Sequence, residues 1–161
     1  MHLSTENHFT EFVVQLLNHS YPKGIFKDTP VEKMLLNNPP IWFEQNLTNL
    51  VLLAKSKSII PVLTTYALNK SGHNNHFIAR DAESISIINQ IMTSAIKEMN
   101  AVIEKTATEQ HIPFIDIDNS YPVDGNLFTD LIHNNEQGAR VKAELIGKFL
   151  IDSGLVKFKY H

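Results

Sequence analysis

The sequence predicts an α/β domain whose parallel sheet is covered by helices on both faces, and three observations point there. The periodicity of the chain reads helix, helix, strand, helix, strand, helix, and strands that alternate with helices pair in parallel. The two strand segments are short, continuous apolar runs with β-branched residues, the pattern of strands buried on both sides. The chain has 161 residues, of which 43% are hydrophobic, enough for one domain with its own core.

Taken in order, Met1 to Thr5 supplies a strand that is cut short at its start. Phe9, Phe12, Val13, Leu16 and Leu17 recur at helical spacing, so 8–19 is predicted as an amphipathic helix. His19 to Pro40 holds Pro22, Gly24, Pro30 and Pro39–Pro40 and reads as a long loop with a short turn around Val31–Leu36. A helix follows from about Ile41 to Lys55, with Phe43, Leu47, Leu50, Val51 and Ala54 as its buried stripe and Trp42 as a packing anchor. Ile59 to Thr65 reads as a buried strand, although Pro61 removes one donor from its ladder. Residues 66–80 are polar and form a loop at that strand's carboxyl end. The strongest periodicity runs from about Asp81 to His111, where Ile85, Ile88, Met92, Ala95, Ile96, Met99, Val102 and Ile103 form one face and Pro113 follows the exit. Phe114 to Asp118 is the next strand and Tyr121 to Phe128 a loop with Pro122 and Gly125. The last helix covers about Asn135 to Asp152, with Val141, Leu145, Phe149 and Leu150 toward the core and Gly154 as a left-handed stop. Two or three strands leave amphipathic helices under-covered. The expectation is therefore a sheet incomplete at its N-terminal side, in a domain that extends upstream of Met1.

Composition excludes several function classes. The sequence has no cysteine, so it holds no disulfide, thiolate zinc site or cysteine nucleophile. A net charge of -3 gives no basic field for nucleic acid. No apolar run reaches spanning length, and the start lacks a signal-peptide pattern, so the sequence as written reads as cytoplasmic, a reading that lapses for a chain extending upstream. No internal repeat or low-complexity segment is visible.

Asp130-Leu131-Ile132-His133 is the leading candidate for chemistry, because it lies in the loop before the last helix and ligands of open α/β sheets gather near the carboxyl ends of strands. A carboxylate three residues before an imidazole reaches one ring nitrogen through a local turn. It fixes the tautomer and stabilises the imidazolium while the other nitrogen takes a proton. The plain alternative is a turn aspartate followed by a helix-leading histidine. His73 and His76 are candidates for a shared metal, against a polar Gly/Asn loop. Asp116 and Asp118 fall on the same side of the predicted strand, as a two-carboxylate site or as strand-end solvation. Asn46 and Asn69 head glycosylation-type triplets that carry meaning only in a secreted protein.

Context adds to the Asp130/His133 reading. Phe128-Thr129-Asp130-Leu131-Ile132-His133-Asn134-Asn135-Glu136-Gln137-Gly138, with Ala143 in the helix that follows, resembles the last block of the SGNH or GDSL family of serine ester hydrolases. There an Asp-x-x-His pair precedes a polar turn, a glycine and the closing helix. Trp42-Phe43-Glu44-Gln45-Asn46-Leu47, Ala54-Lys55 and Ile60-Pro61-Val62-Leu63-Thr64-Thr65 resemble the helix and strand before the family's central loop. Met99-Asn100-Ala101-Val102-Ile103 and Pro113-Phe114-Ile115-Asp116 resemble its penultimate helix and strand. The likeness covers roughly residues 41–152 and is greatest over 128–138.

The resemblance implies a three-layer, flavodoxin-like fold and hydrolysis of a small-molecule acyl ester through an acyl-serine, with no metal and no organic cofactor. It makes His133 the general base and Asp130 its orienting carboxylate. The family's Gly-Asp-Ser nucleophile block has no counterpart here; Asp152-Ser153-Gly154 stands at the wrong end and reads as a helix stop. The oxyanion-donating asparagine would fall at Asn7, in Thr5-Glu6-Asn7, where the block's glycine is missing and Ser4, Thr5 or Asn7 serves equally as a helix cap. The chain is then expected to carry only the Asp/His part of the machinery, as a fragment, a truncated product or a remnant reused as a binding or interaction domain. Apolar surface left bare by missing strands is expected to drive self-association or pairing with an N-terminal segment.

Overall fold

The computed structural model describes residues 40–72 and 82–156, with the side chains of all but 82–85, 87 and 88. The predicted strand at 1–5, the helix at 8–19 and the loop before Pro40 lie outside the described residues. So do Asn7, His73 and His76, and the side chains of Ile85 and Ile88.

The described elements are α1 (Ile41–Ser56), β1 (Leu63–Thr64), α2 (Ala82–Glu109), β2 (Phe114–Ile115), a single turn α3 (Ile117–Ser120), a 3-10 turn (Gly125–Leu127) and α4 (Glu136–Asp152). β1 and β2 pair in parallel, Leu63 opposite Phe114 and Thr64 opposite Ile115. The ladder continues at each end, with Leu63 N donating to Pro113 O at 3.1 Å and Thr65 N to Ile115 O at 3.2 Å. No described helix is long and apolar enough to cross a membrane.

α1 starts behind Pro40, whose carbonyl accepts from Glu44 N at 2.8 Å. It packs on α2 along a narrow line, and Val51 is its buried residue, with Phe43, Leu47 and Ala54 half-buried. The expected stripe is too wide: Leu50 is 64% exposed, because only one side of α1 meets another described element. Trp42, at 68% exposed, does not act as a packing anchor among the described residues.

The first strand is also shorter than its apolar run. Ile59 N is spent on Ala54 O, closing α1 through Ser58 in the left-handed region, and Pro61 has no N–H. Ile59 and Ile60 consequently stay exposed and pairing begins at Leu63. The segment after β1, expected to be a polar loop, buries Ala67, Leu68 and Asn69. Asn100 of α2 reads the backbone of Tyr66 on both sides, accepting from its N at 2.8 Å and donating to its O at 3.0 Å. A side-chain amide thereby does what a neighbouring strand would do. α2 itself ends through His111 in the left-handed region, with Ile112 N returning to Ala107 O.

β2 stops at Ile115 because Asp116 caps α3. Its carboxylate accepts from Asn119 N at 3.2 Å and from Asn119 Nδ2 at 2.6 Å. The predicted strand over 114–118, with Asp116 and Asp118 on one side of it, is therefore corrected to two strand residues followed by a helical turn.

Among the described residues, two buried clusters lie around the sheet and the 3-10 turn. One joins Ala67, Ile115, Ile117, Tyr121, Leu127 and Phe128 and is covered by Val141, Leu145, Ile146 and Phe149 of α4. The other joins Leu68 and Leu131 to Ile96, with Met92 and Ile132 against it. What seats α4 is a backbone approach. A Cβ on Gly138 would run into the carbonyl oxygen of Leu127 and come within 2.6 Å of the Tyr121 hydroxyl. Tyr121 donates to Gly138 O at 2.7 Å and accepts from Asn134 Nδ2 at 3.0 Å. Burial holds its phenol above the ordinary value, so it remains a neutral donor.

Gly138→Ala is expected to destabilise the chain by about 3 kcal/mol, the scale of overpacking against fixed backbone. Tyr121→Phe is expected to cost about 1–2 kcal/mol, because it removes the hydroxyl that donates to Gly138 O and accepts from Asn134 Nδ2 while keeping the ring. Urea denaturation checks both, and equal stability in Gly138→Ala would contradict the close approach. Thr106 makes the opposite case. It is 2% exposed and its hydroxyl has no hydrogen-bond partner among the described residues. Thr106→Val is expected to raise stability by about 1 kcal/mol in the same assay.

Candidate functional site

The loop between the 3-10 turn and α4 folds back on itself through an antiparallel bridge between Phe128 and Asn134. Thr129 closes it twice, donating from N to His133 O at 2.8 Å and from Oγ1 to the same oxygen at 3.1 Å. Asn135 then caps α4, accepting from Gly138 N at 3.0 Å and donating from Nδ2 to Asn126 O at 2.6 Å. Between these fixed ends five residues, 129–133, make the turn that carries the candidate pair.

Asp130 divides its two oxygens between structure and side chain. Oδ1 accepts from Ile132 N at 2.9 Å and from His133 N at 2.8 Å. Oδ2 lies 2.7 Å from His133 Nδ1. Desolvation pushes this carboxyl up, but the backbone N–H groups of His133 and Ile132, followed by the hydrogen bond and charge of the His133 ring, outweigh it and hold it below its ordinary value. An ionised carboxylate only accepts, so Nδ1 is the protonated nitrogen and Nε2 carries the lone pair in the neutral ring. The His133 side chain is 66% exposed and that of Asp130 22%, so the ring's outer edge meets solvent while its partner is sheltered. The arrangement can take a proton at Nε2 and stabilise the resulting imidazolium.

The loop is tied to the carboxyl end of β1 by a residue whose role in the fold the sequence did not disclose. Asn69 is 3% exposed; its N donates to Leu131 O at 2.9 Å and its Nδ2 to Asp130 O at 3.3 Å. Its glycosylation-type triplet is instead a turn, in which Asn69 Oδ1 accepts from Ser71 N and Oγ. The spacing gave no signal for this clamp, since the partners are more than sixty residues apart and are backbone carbonyls.

Asp116 and Asp118 do not form a two-carboxylate site. Asp116 Oδ1 accepts from Thr65 Oγ1 at 3.2 Å, and Thr65 Oγ1 accepts from Asp118 N at 2.9 Å. Asp118 Oδ1 accepts from Leu68 N at 3.0 Å, while Lys70 Nζ lies 3.0 Å from its Oδ2. Both acids tie the segment after β1 to α3. Ser153 closes α4, donating to Phe149 O at 2.6 Å. Since α4 has 17 residues, roughly 25 Å of helix separates Ser153 from the pair. Among the described residues no group of three or more His, Cys, Asp or Glu is placed to hold a metal ion. In comparisons with known proteins, no family model matches the chain and no curated protein matches it.

Removing the Asp130 carboxylate is expected to cost about 1 kcal/mol of stability at neutral pH, discounted for partial exposure. Because the folded state holds this group below its unfolded value, the stability is complete above about pH 4 and is lost as pH falls further. Chemical denaturation of the parent chain and Asp130→Ala should therefore draw closer as pH falls below about 4. A difference that stays constant with pH would exclude ionisation of Asp130 as its source.

Proposed function

We propose that this chain carries the acid/base half of an SGNH-type serine ester hydrolase. His133 Nε2 is the general base and Asp130 the residue that orients and charges it. The single observation behind this reading is the 2.7 Å contact between Nδ1 and a carboxylate already fixed by two backbone donors. In the reaction class, Nε2 accepts the proton of a serine hydroxyl as that oxygen attacks the ester carbonyl. The imidazolium then protonates the departing alkoxide, and water repeats the cycle on the acyl-serine. Asp130 stays ionised throughout. Within the same reading, β1 and β2 are neighbouring strands of a parallel, flavodoxin-like sheet between helices, and the pair stands beyond their carboxyl ends.

The nucleophile is not part of what the pair's geometry supports, and the sequence contains no Gly-Asp-Ser block. The 161-residue chain is expected to hydrolyse 4-nitrophenyl acetate slowly, with most of that activity removed by His133→Ala and retained by His111→Ala, an exposed histidine without a carboxylate partner among the described residues. It is also expected to resist stoichiometric labelling by a fluorophosphonate probe, which reports an activated serine. Label on one serine, lost in His133→Ala, would identify the nucleophile and extend the reading. Hydrolysis equally insensitive to both histidine substitutions would overturn it.

A second reading, an interaction domain without catalysis, draws on a different observation. Ile41, Trp42, Leu50, Leu53, Ile59 and Ile60 are all more than half exposed. A monodisperse monomer that binds no hydrophobic dye would remove that alternative.

A further inference from the structure

We infer that the open cleft beside the Asp130–His133 loop is a binding site for a neutral, polyhydroxylated ligand. This inference rests on the ester-hydrolase reading for one clause only: within it, the ligand is the alcohol half of the ester. The cleft measures about 460 Å³, within the range of small-molecule pockets. Asn69 and Leu131 form its inner end. Leu131 is the residue after Asp130, and Asn69 is the clamp that holds this loop to the end of β1. A ligand seated there touches the turn that carries the pair.

The outer wall is one face of α2. Ser86, Gln90, Thr93 and Lys97 follow at helical spacing, flanked by Asn89 and Ser94. That stripe spans about 17 Å of helix. Farther along, α2 exposes Glu98, Glu104 and Glu109, while Lys105 pairs with Glu44 of α1. Where it faces the cleft it carries amides and hydroxyls, and none of the described lining residues is a carboxylate.

Chemistry narrows the ligand class. Amides and hydroxyls offer both donors and acceptors, the same mixture a sugar hydroxyl presents. None of the described lining residues offers a carboxylate to a cation. Lys97 is the one positive charge among the described lining residues, too little for a polyanion. Leu131 is the one hydrocarbon side chain among them, which does not suit a long acyl chain.

The test is a titration of the isotopically labelled chain with cellobiose, a neutral disaccharide, followed by the side-chain amide resonances of Asn69, Asn89 and Gln90. Saturable shifts with a millimolar dissociation constant are expected. Gln90→Leu and Thr93→Val, which leave the core untouched, should each weaken binding about fivefold or more, and Lys97→Ala should leave it within twofold. Shifts produced by 1-butanol or by inorganic phosphate in place of cellobiose would overturn the inference. So would cellobiose shifts unchanged in both cleft variants, or none at all. Cellobiose binding that persists while hydrolysis proves independent of His133 keeps the cleft and removes the ester reading. His133-dependent hydrolysis without cellobiose binding removes the cleft alone.

Discussion

The close approach between Gly138 and the carbonyl of Leu127 is the constraint on which the described fold depends. It lets the first turn of α4 sit directly on the backbone of the preceding loop, with no side chain between them. From that contact the other connections follow. Tyr121 reaches Gly138 O, Asn134 reaches Tyr121, and Asn135 caps α4 while holding Asn126. The Tyr121 ring also packs edge-on to Phe128 at 5.3 Å between centroids. Both ends of the turn at 129–133 are thereby fixed before Asp130 and His133 make any contact of their own. A pair on a free loop would have to order five residues for one hydrogen bond, and the backbone entropy of that step would exceed the gain.

The plain and the chemical readings of Asp130 do not exclude each other. Its Oδ1 does what a turn or cap aspartate does, accepting two local N–H groups. Because those donors are backbone, they fix the carboxylate plane and leave Oδ2 directed at the ring. They also favour the ionised form, so the residue that orients the imidazole is charged wherever the imidazole is useful as a base. A simple turn aspartate has no need of the second contact. The 2.7 Å approach of Oδ2 to Nδ1 is a contact that the turn geometry alone does not require.

The long helices and the local Asp/His spacing were legible in the sequence, and the reasons are physical. Helical periodicity over 82–109 and 136–152 is set by many residues at once, so one deviation does not blur it. Asp130 and His133 meet through a four-residue turn, which spacing alone specifies. The strands were legible only as apolar runs. Their ends were decided by where single backbone groups went: Ile59 N to the end of α1, and Asp116 to the cap of α3. The width of α1's buried stripe was misread because hydrophobicity does not say how many neighbours a helix has. Leu50 and Trp42 are apolar and exposed all the same. The Asn69 clamp and the Asn100 bridge were invisible, since each joins a side chain to a distant backbone and leaves no pattern along the chain.

These long-range amides also connect the cleft to the pair. Asn69 holds Leu131 and Asp130 by their carbonyls, and its own amide oxygen is held by Ser71. Its buried side chain has little freedom to rotate without breaking contacts on both sides. A group bound against Asn69 and Leu131 therefore meets a surface already rigid, and loses little to reorganisation on binding. The same rigidity fixes the distance from that surface to the imidazole. A clamp of this kind does for position what the two backbone donors do for the orientation of Asp130. Clamp and donors both act through the backbone of residues 130–133, which is why a loop of so few residues can present an exposed base in a defined direction.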